Sequence, residues 1–245
     1  MKKIKVLSIG NSFSQDAQRY LYGVARAGGV DMKTVNLYIS GCSLERHYRN
    51  MLSEEKAYDF EINGISGTGV KISLKDALLS DEWDFITVQQ QSLRSCNYET
   101  FVPYIEALVE YVRKFSPKAK IYVMRTWGYK EGSQKLLVQA GYPTNKAMLE
   151  DIKIAYEKAA KDIKADGTVP LGDAVAMATD LQAEHIHRDE FHMSKGFGRY
   201  LLGLVMFEKL TGRPTDDNPF RDFDEELSDD EIKMAKAIAK AVRDK

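Results

Sequence analysis

The chain has 245 residues, 44% of them hydrophobic and 29% charged, which is ordinary globular usage with enough length to bury a sizeable core without a disulfide or metal staple. Its 35 Lys and Arg offset 36 Asp and Glu, so nothing draws the chain as a whole to nucleic acid or to an anionic membrane. Cys42 and Cys96 alone make neither a disulfide framework nor a cysteine zinc site.

No apolar run approaches the ~18 residues of a membrane helix. The lysine-bearing N-terminus holds only Val6 to Ile9 as an apolar stretch, with Ser8 inside it, too short for a secretory signal. It reads as a first strand, which makes the protein cytoplasmic, or else the mature segment of a secreted one whose leader was removed.

Lys5–Ile9 ends at Gly10, and Gln15–Arg26 follows with apolar residues at helical spacing up to Gly28-Gly29. Thr34–Ile39 is the second strand, followed by Ser40-Gly41 and a polar helix from Ser43 to about Leu52. Between Tyr58 and Ser73 two alternating segments flank Asn63-Gly64, the pattern of a β-hairpin inserted into an α/β rhythm. Asp84–Val88 is a buried-looking strand that runs into Gln89-Gln90-Gln91-Ser92. A helix over Tyr98–Phe115, a strand over Lys120–Met124, a loop from Trp127 to Pro143 and a long helix from Thr144 to about Ala165 come next. Thr168–Leu171 is the last strand. Ala174–Leu181, a helix capped by Ser194 and running to Leu210, and a closing helix opened by the capping box Ser228-x-x-Glu231 complete the chain.

Strands that alternate with helices pair in parallel, because each crossover must travel a helix length to return. The expectation is one domain over residues 1–245: a three-layer α/β/α sandwich, flavodoxin-like, with a mainly parallel sheet of about five strands.

Ligands of such sheets sit outside the carboxyl ends of the strands. There the chain places Gly10-Asn11-Ser12, Ser40-Gly41 and Gln89-Gln90-Gln91, while Asp189-x-x-His192 precedes the penultimate helix. These are parts for acyl transfer. Ser12 on a tight strand-to-helix turn is a candidate nucleophile, with the helix N-terminus offering N–H groups to an oxyanion. His192 has a suitable intrinsic pKa for a general base, and Asp189 can orient its ring. Gly41 allows close backbone approach and can donate its N–H to the same oxyanion, with a Gln amide as third donor.

The arrangement resembles the GDSL-like, or SGNH, hydrolase superfamily of serine esterases and lipases, over ordered blocks from Gly10 to His192. Gly10-Asn11-Ser12 resembles the nucleophile block with Asn where Asp is commoner, Gly41 the glycine block, and Asp189-x-x-His192 the last block. The third block departs: no Asn occurs before Asn97, and Gln90 (or Gln91) would have to supply the amide, as in carbohydrate-esterase-like branches. The resemblance implies a serine ester hydrolase removing a small acyl group such as acetyl from a carbohydrate-like substrate, without cofactor or metal and with no nucleic-acid or membrane partner.

Asn11, His47 and Trp127 are candidates for touching substrate; the alternatives are a cap or turn brace for Asn11, a solvated helix face for His47 and a filled core gap for Trp127. Two rival readings remain. One is a carbohydrate-binding domain on the same fold that has lost turnover, suggested by the missing Asn. The other is a metal-dependent hydrolase using His185-x-His187.

Overall fold

A computed structural model describes residues 3–243. Strand β1 (Ile4–Gly10) lies inside the sheet, paired in parallel with β2 (Met32–Tyr38) on one side and β5 (Phe85–Val88) on the other. β6 (Lys120–Met124) and β7 (Gly167–Val169) continue the parallel set. The five expected strands are all present, in the spatial order of flavodoxin-like sheets.

The inserted hairpin enlarges that sheet to seven strands. β3 (Tyr58–Ile62) pairs antiparallel with β2, and the two-residue β4 (Lys71–Ile72) pairs with β3, so the order is β4-β3-β2-β1-β5-β6-β7. Without β3 the edge of β2 would expose a row of unpaired peptide groups. The Asn63-Gly64 turn has both φ values positive, which suits Asn and Gly. Asn63 Oδ1 also accepts from the Thr34 N–H at 3.0 Å, pinning the turn to the start of β2.

On one face of the sheet, α1 (Ser12–Gln18) and α2 (Leu21–Ala27) pack against α8 (Phe197–Thr211), which α9 (Asp229–Val242) covers in turn. α3 (Leu44–Ser53), α4 (Leu74–Leu79) and α5 (Tyr104–Phe115) pack together on the other face. α6 (Asn145–Asp162) is the crossover from β6 to β7, and α7 (Leu171–Asp180) leads from β7 toward α8. The core is the apolar filling of both layers, with Leu7, Ile9, Val35, Ile86 and Val123 fully buried along the central strands. Among the described residues no helix is long and apolar enough to cross a membrane.

Three helix boundaries differ from expectation. The first helix is two, broken at Arg19-Tyr20, where the Tyr20 hydroxyl is fixed by donating to Lys195 O at 2.5 Å and accepting from the Asp224 N–H at 2.6 Å. It also begins three residues earlier than expected, because Asn11 caps it by accepting from the Phe13 N–H. The segment from Tyr98 is a single 3₁₀ turn, and α5 starts only after Pro103, which has no N–H to give a preceding turn. Asp173 lies inside the first turn of α7, buried in an ion pair with Arg125 and 3.4 Å from Lys153 Nζ.

Candidate active site

Gly10 ends β1 at the sheet's topological switch, where strand order reverses and a crevice opens between the β2 and β5 ends. A Cβ on Gly10 would overlap the Ser14 side chain, so the chain can turn this tightly into α1 only with glycine there. Ser12 emerges as the first residue of α1, half-buried, with its hydroxyl facing the crevice that His192 also lines.

His192 arrives on a narrow loop near the other end of the chain. His187 pairs with Met193 as an antiparallel bridge, and the Arg188 N–H donates to His192 O at 3.0 Å. Within this loop Asp189 Oδ1 accepts from the N–H groups of Phe191 (2.9 Å) and His192 (2.7 Å). Its other oxygen, Oδ2, lies 2.7 Å from His192 Nδ1. His192 Nε2 is then 2.9 Å from Ser12 Oγ. The three side chains form one unbroken hydrogen-bonded chain. Burial alone would raise the Asp189 carboxyl, but the two N–H groups and the imidazole outweigh it and hold its pKa below the usual range. It therefore stays anionic where an imidazolium would need a partner.

Aromatic packing fixes the imidazole. The Phe191 ring lies 3.9 Å from the His192 ring, centroid to centroid, and Phe13 meets it edge-on at 6.0 Å. Phe13 in turn stacks on Trp127 at 4.0 Å with the planes 2° apart. The Trp127 indole N–H donates to Phe191 O at 2.8 Å, and the Lys130 N–H to Glu190 O at 2.8 Å, so the loop after β6 straps down the loop that carries His192. Trp127 is fully buried and outside the crevice lining, where it buttresses the His192 loop, which corrects the expectation for it.

The next two candidates divide. Asn11 lines the crevice while its amide braces the turn: Oδ1 accepts from Phe13 N–H and Gln89 Nε2, and Nδ2 donates to Cys42 O at 3.0 Å, steadying the Gly41 loop. His47 points into the interior, fully buried, its ring parallel to Tyr58 and Nδ1 3.0 Å from the Tyr58 hydroxyl. Helix α3 presents His47 to the core because Leu44 and Met51 share that face, at i−3 and i+4.

Burial first, then the charge of Arg46, lowers the His47 pKa to about 3, and burial lowers His187 to about 4. Unfolded, both bind a proton near pH 6.5. Stability is then complete above that pH and lost as pH falls, by up to about 1.4 kcal/mol per pH unit for each group until its folded pKa is reached. Urea midpoints measured from pH 7 to 4.5 should fall steadily, and His47→Phe should flatten the slope; an unchanged slope in that variant would clear His47 of the effect.

Gly41 lies at the crevice with φ +59°, a conformation that favours glycine. The three glutamines separate by the pleat. Gln89 turns to Asn11. Gln90, the first choice for the third donor, is fully buried: Oε1 accepts from the N–H groups of Leu44 (3.0 Å) and Gln91 (2.8 Å), and Nε2 donates to Thr100 O at 2.7 Å. Gln90 is therefore a structural clamp. Gln91 faces the crevice, with Oε1 held by the Arg94 N–H at 3.1 Å so that the NH₂ end turns away from that bond.

His185 sits exposed beside Glu184, whereas His187 is turned inward with Nε2 lacking a partner. Among the described residues no group of three or more His, Cys, Asp or Glu side chains could hold a metal ion. The crevice encloses about 180 Å³. Phe13, Phe191 and Lys135 line it although sequence reasoning assigned them no role; Phe191 lies inside the Asp189-x-x-His192 motif, but only the folded loop turns its ring to the site.

The hydrogen-bonded Ser12–His192–Asp189 chain stands at the switch point of a sheet whose fold is that of the SGNH hydrolases. A protein from Slackia heliotrinireducens proposed to be an SGNH hydrolase superposes with TM-score 0.60 at 20% identity, over 84% of this chain and 98% of that one. A carbohydrate esterase family 3 from Talaromyces cellulolyticus superposes with TM-score 0.57 at 11% identity, over 85% and 97%. Residues 5–242 match the domain of unknown function DUF4886, and the chain belongs to that family. A DUF4886 family protein from Bacteroides uniformis is 31% identical, with TM-score 0.90 over 100% of this chain and 97% of that one. Comparison with curated proteins gives no match.

Proposed function

We propose that the protein is a serine ester hydrolase that releases a short acyl group, such as acetyl, from a carbohydrate-like alcohol through an acyl-enzyme. The observation that carries this reading is the hydrogen-bonded chain from Ser12 Oγ through His192 to Asp189. Ser12 Oγ attacks the ester carbonyl as His192 Nε2 takes its proton, and the tetrahedral oxyanion meets the N–H groups of Ser12 and Gly41 and the Gln91 amide. The C–O bond to the alcohol breaks, and the alkoxide leaves with the proton from His192. Water then gives a proton to His192 and attacks the acyl-enzyme; Ser12 recovers its proton as the acid departs.

α1 is only seven residues long, so stabilisation of the oxyanion falls to these individual donors more than to a helix dipole. A crevice of about 180 Å³ is small beside ordinary ligand pockets and supports a short acyl chain. The carbohydrate-like alcohol rests on the esterase likeness and on the polar Ser40, Gly41 and Gln91 rim.

An alkyl phosphonate with a good leaving group tests the nucleophile: stoichiometric labelling of Ser12, measured by intact mass and peptide mapping, is expected, and an unlabelled protein would favour the binding-only reading. Gln91→Ala should lower kcat by about 10²-fold, the usual loss for one oxyanion donor. Gln90→Ala should instead cost about 1–3 kcal/mol of stability by stranding the Leu44 and Gln91 N–H groups. Nitrophenol release and urea midpoints on both variants check the pair, and a Gln91→Ala rate within twofold of wild type would remove Gln91 from the site.

A further inference from the structure

The crevice beside Ser12 contains a cation that the esterase chemistry does not use. Lys135 opens a π-type turn, Lys135–Gln139, in the loop after β6, and its side chain lines the crevice with Ser12 and His192. The ammonium is held over aromatic faces, 4.2 Å from the Phe191 centroid and 5.7 Å from that of Tyr129, and Phe191 is the ring packed on His192. A cation seated on ring faces is aimed, its head directed by the quadrupoles.

Among the described residues no carboxylate lies within 4 Å of this ammonium; the one hydrogen bond it donates goes to the exposed Gln139 Oε1 at 3.2 Å. An ammonium has three donors, so two are left. The acidic groups on the neighbouring loop make no ion pair with it. Asp189 is bonded to His192, and Glu190 gives Oε1 to the backbone N–H of Lys135 and not to its ammonium. Among the described residues no acidic side chain lines the crevice. A neutral ester would leave this charge without a counterpart in a small, half-enclosed space, whereas an anionic one would form a charge-assisted hydrogen bond there.

We infer that the site selects esters that carry a negative charge close to the scissile bond, a sugar carboxylate or a carboxylated acyl group, and that Lys135 is the residue that recognises it. This deepens the esterase reading and rests on it for turnover, though the recognition itself needs no chemistry. General stabilisation of the oxyanion by Lys135 would speed charged and neutral esters alike, so the ratio between them isolates recognition.

The test has two arms and a binding control. In the first, kcat/KM is compared for mono-4-nitrophenyl succinate and its methyl ester, which places the charge on the acyl side. In the second, an acetylated glucuronide is compared with the matching acetylated glucoside, which places it on the alcohol side. A preference of about fivefold or more for the charged member of one arm is expected. It should collapse in Lys135→Met, survive in Lys135→Arg, and shrink in 0.5 M salt. The control is calorimetric binding of glucuronate and succinate, against glucose and methyl succinate, to the Ser12→Ala protein with and without Lys135→Met. No charge preference in either arm or in binding, or a preference that persists in Lys135→Met, overturns the inference even if every ester is cleaved. Lys135-dependent binding of an anion by a protein that cleaves none of these esters sustains the inference and sinks the esterase reading instead.

Discussion

Replacing Ser12 or His192 with alanine is expected to lower kcat on an aryl acetate by about 10⁴- to 10⁶-fold, and replacing both should cost little more than either alone. The near-identity of single and double variants follows from the geometry. In the proposed mechanism Ser12 Oγ is a poor nucleophile until His192 Nε2, 2.9 Å away, accepts its proton, and His192 has no other proton to move in the first step. What survives in each variant comes from the donors of Ser12 N–H, Gly41 and Gln91, which none of these changes removes. Asp189→Asn should cost about 10⁴-fold as well: an amide in place of Oδ2 can offer an N–H to His192 Nδ1 and so favour the tautomer with its proton on Nε2, where it cannot accept from Ser12. Stopped-assay nitrophenol release, with circular dichroism to show that each variant is folded, measures all four. A His192→Ala enzyme with a tenth of wild-type activity would end the acyl-enzyme proposal.

The parts of this site that could be read in the sequence are those whose geometry is closed locally. Asp189 and His192 are three residues apart because a carboxylate can take the N–H groups at i+2 and i+3 and still reach the i+3 ring, all within one turn. Four of the five parallel strands were legible for a similar reason: each is a short run stopped by glycine or a polar residue at the carboxyl end where ligands bind, whereas β7 runs into Pro170. What was not legible depends on partners distant in sequence. Choosing Gln91 over Gln90 requires the pleat phase at the end of β5 and the position of Thr100, and an error of one residue exchanges cavity for core. His47 and Trp127 are residue types that suit sugars, but Tyr58 and Phe13 stand opposite them and make them core. The hairpin was recognisable from Asn63-Gly64. Its docking against β2 was not, since that rests on Glu61 reaching Asn36, which in turn accepts from Ser14. Through that relay the hairpin supports α1 from behind and does not wall the crevice.

Asp16 shows how the two distant ends of the chain are held in register, and its removal carries the largest expected loss of stability. It follows Ser12 by one helical turn, is fully buried, and faces the segment on either side of His192. Arg188 Nη1 lies 2.8 and 3.0 Å from its two oxygens, Arg199 Nε 2.8 Å from Oδ1, and the Met193 N–H donates to Oδ2 at 3.1 Å. One carboxylate thus ties the helix bearing Ser12 to the loop bearing His192. Its burial costs desolvation, which two guanidinium groups and a peptide N–H offset. Asp16→Ala would leave Arg188 with the Met193 carbonyl and Arg199 with Asp224 as their remaining partners, so a loss of about 2–4 kcal/mol, below that of a fully stranded buried charge, is expected from urea unfolding. Asp16→Asn keeps the volume and one acceptor, and should remain folded at 15 °C while the His192 loop loosens. For that variant the decisive measurement is the rate of Ser12 phosphonylation at saturating reagent. A purely structural role predicts wild-type rates in the folded fraction, whereas a positioning role predicts a slower rate with unchanged reagent affinity. The positioning role follows from the geometry, because the Met193 N–H bonded to Asp16 belongs to the residue next to His192, and a shift of that peptide moves Nε2 away from Ser12 Oγ.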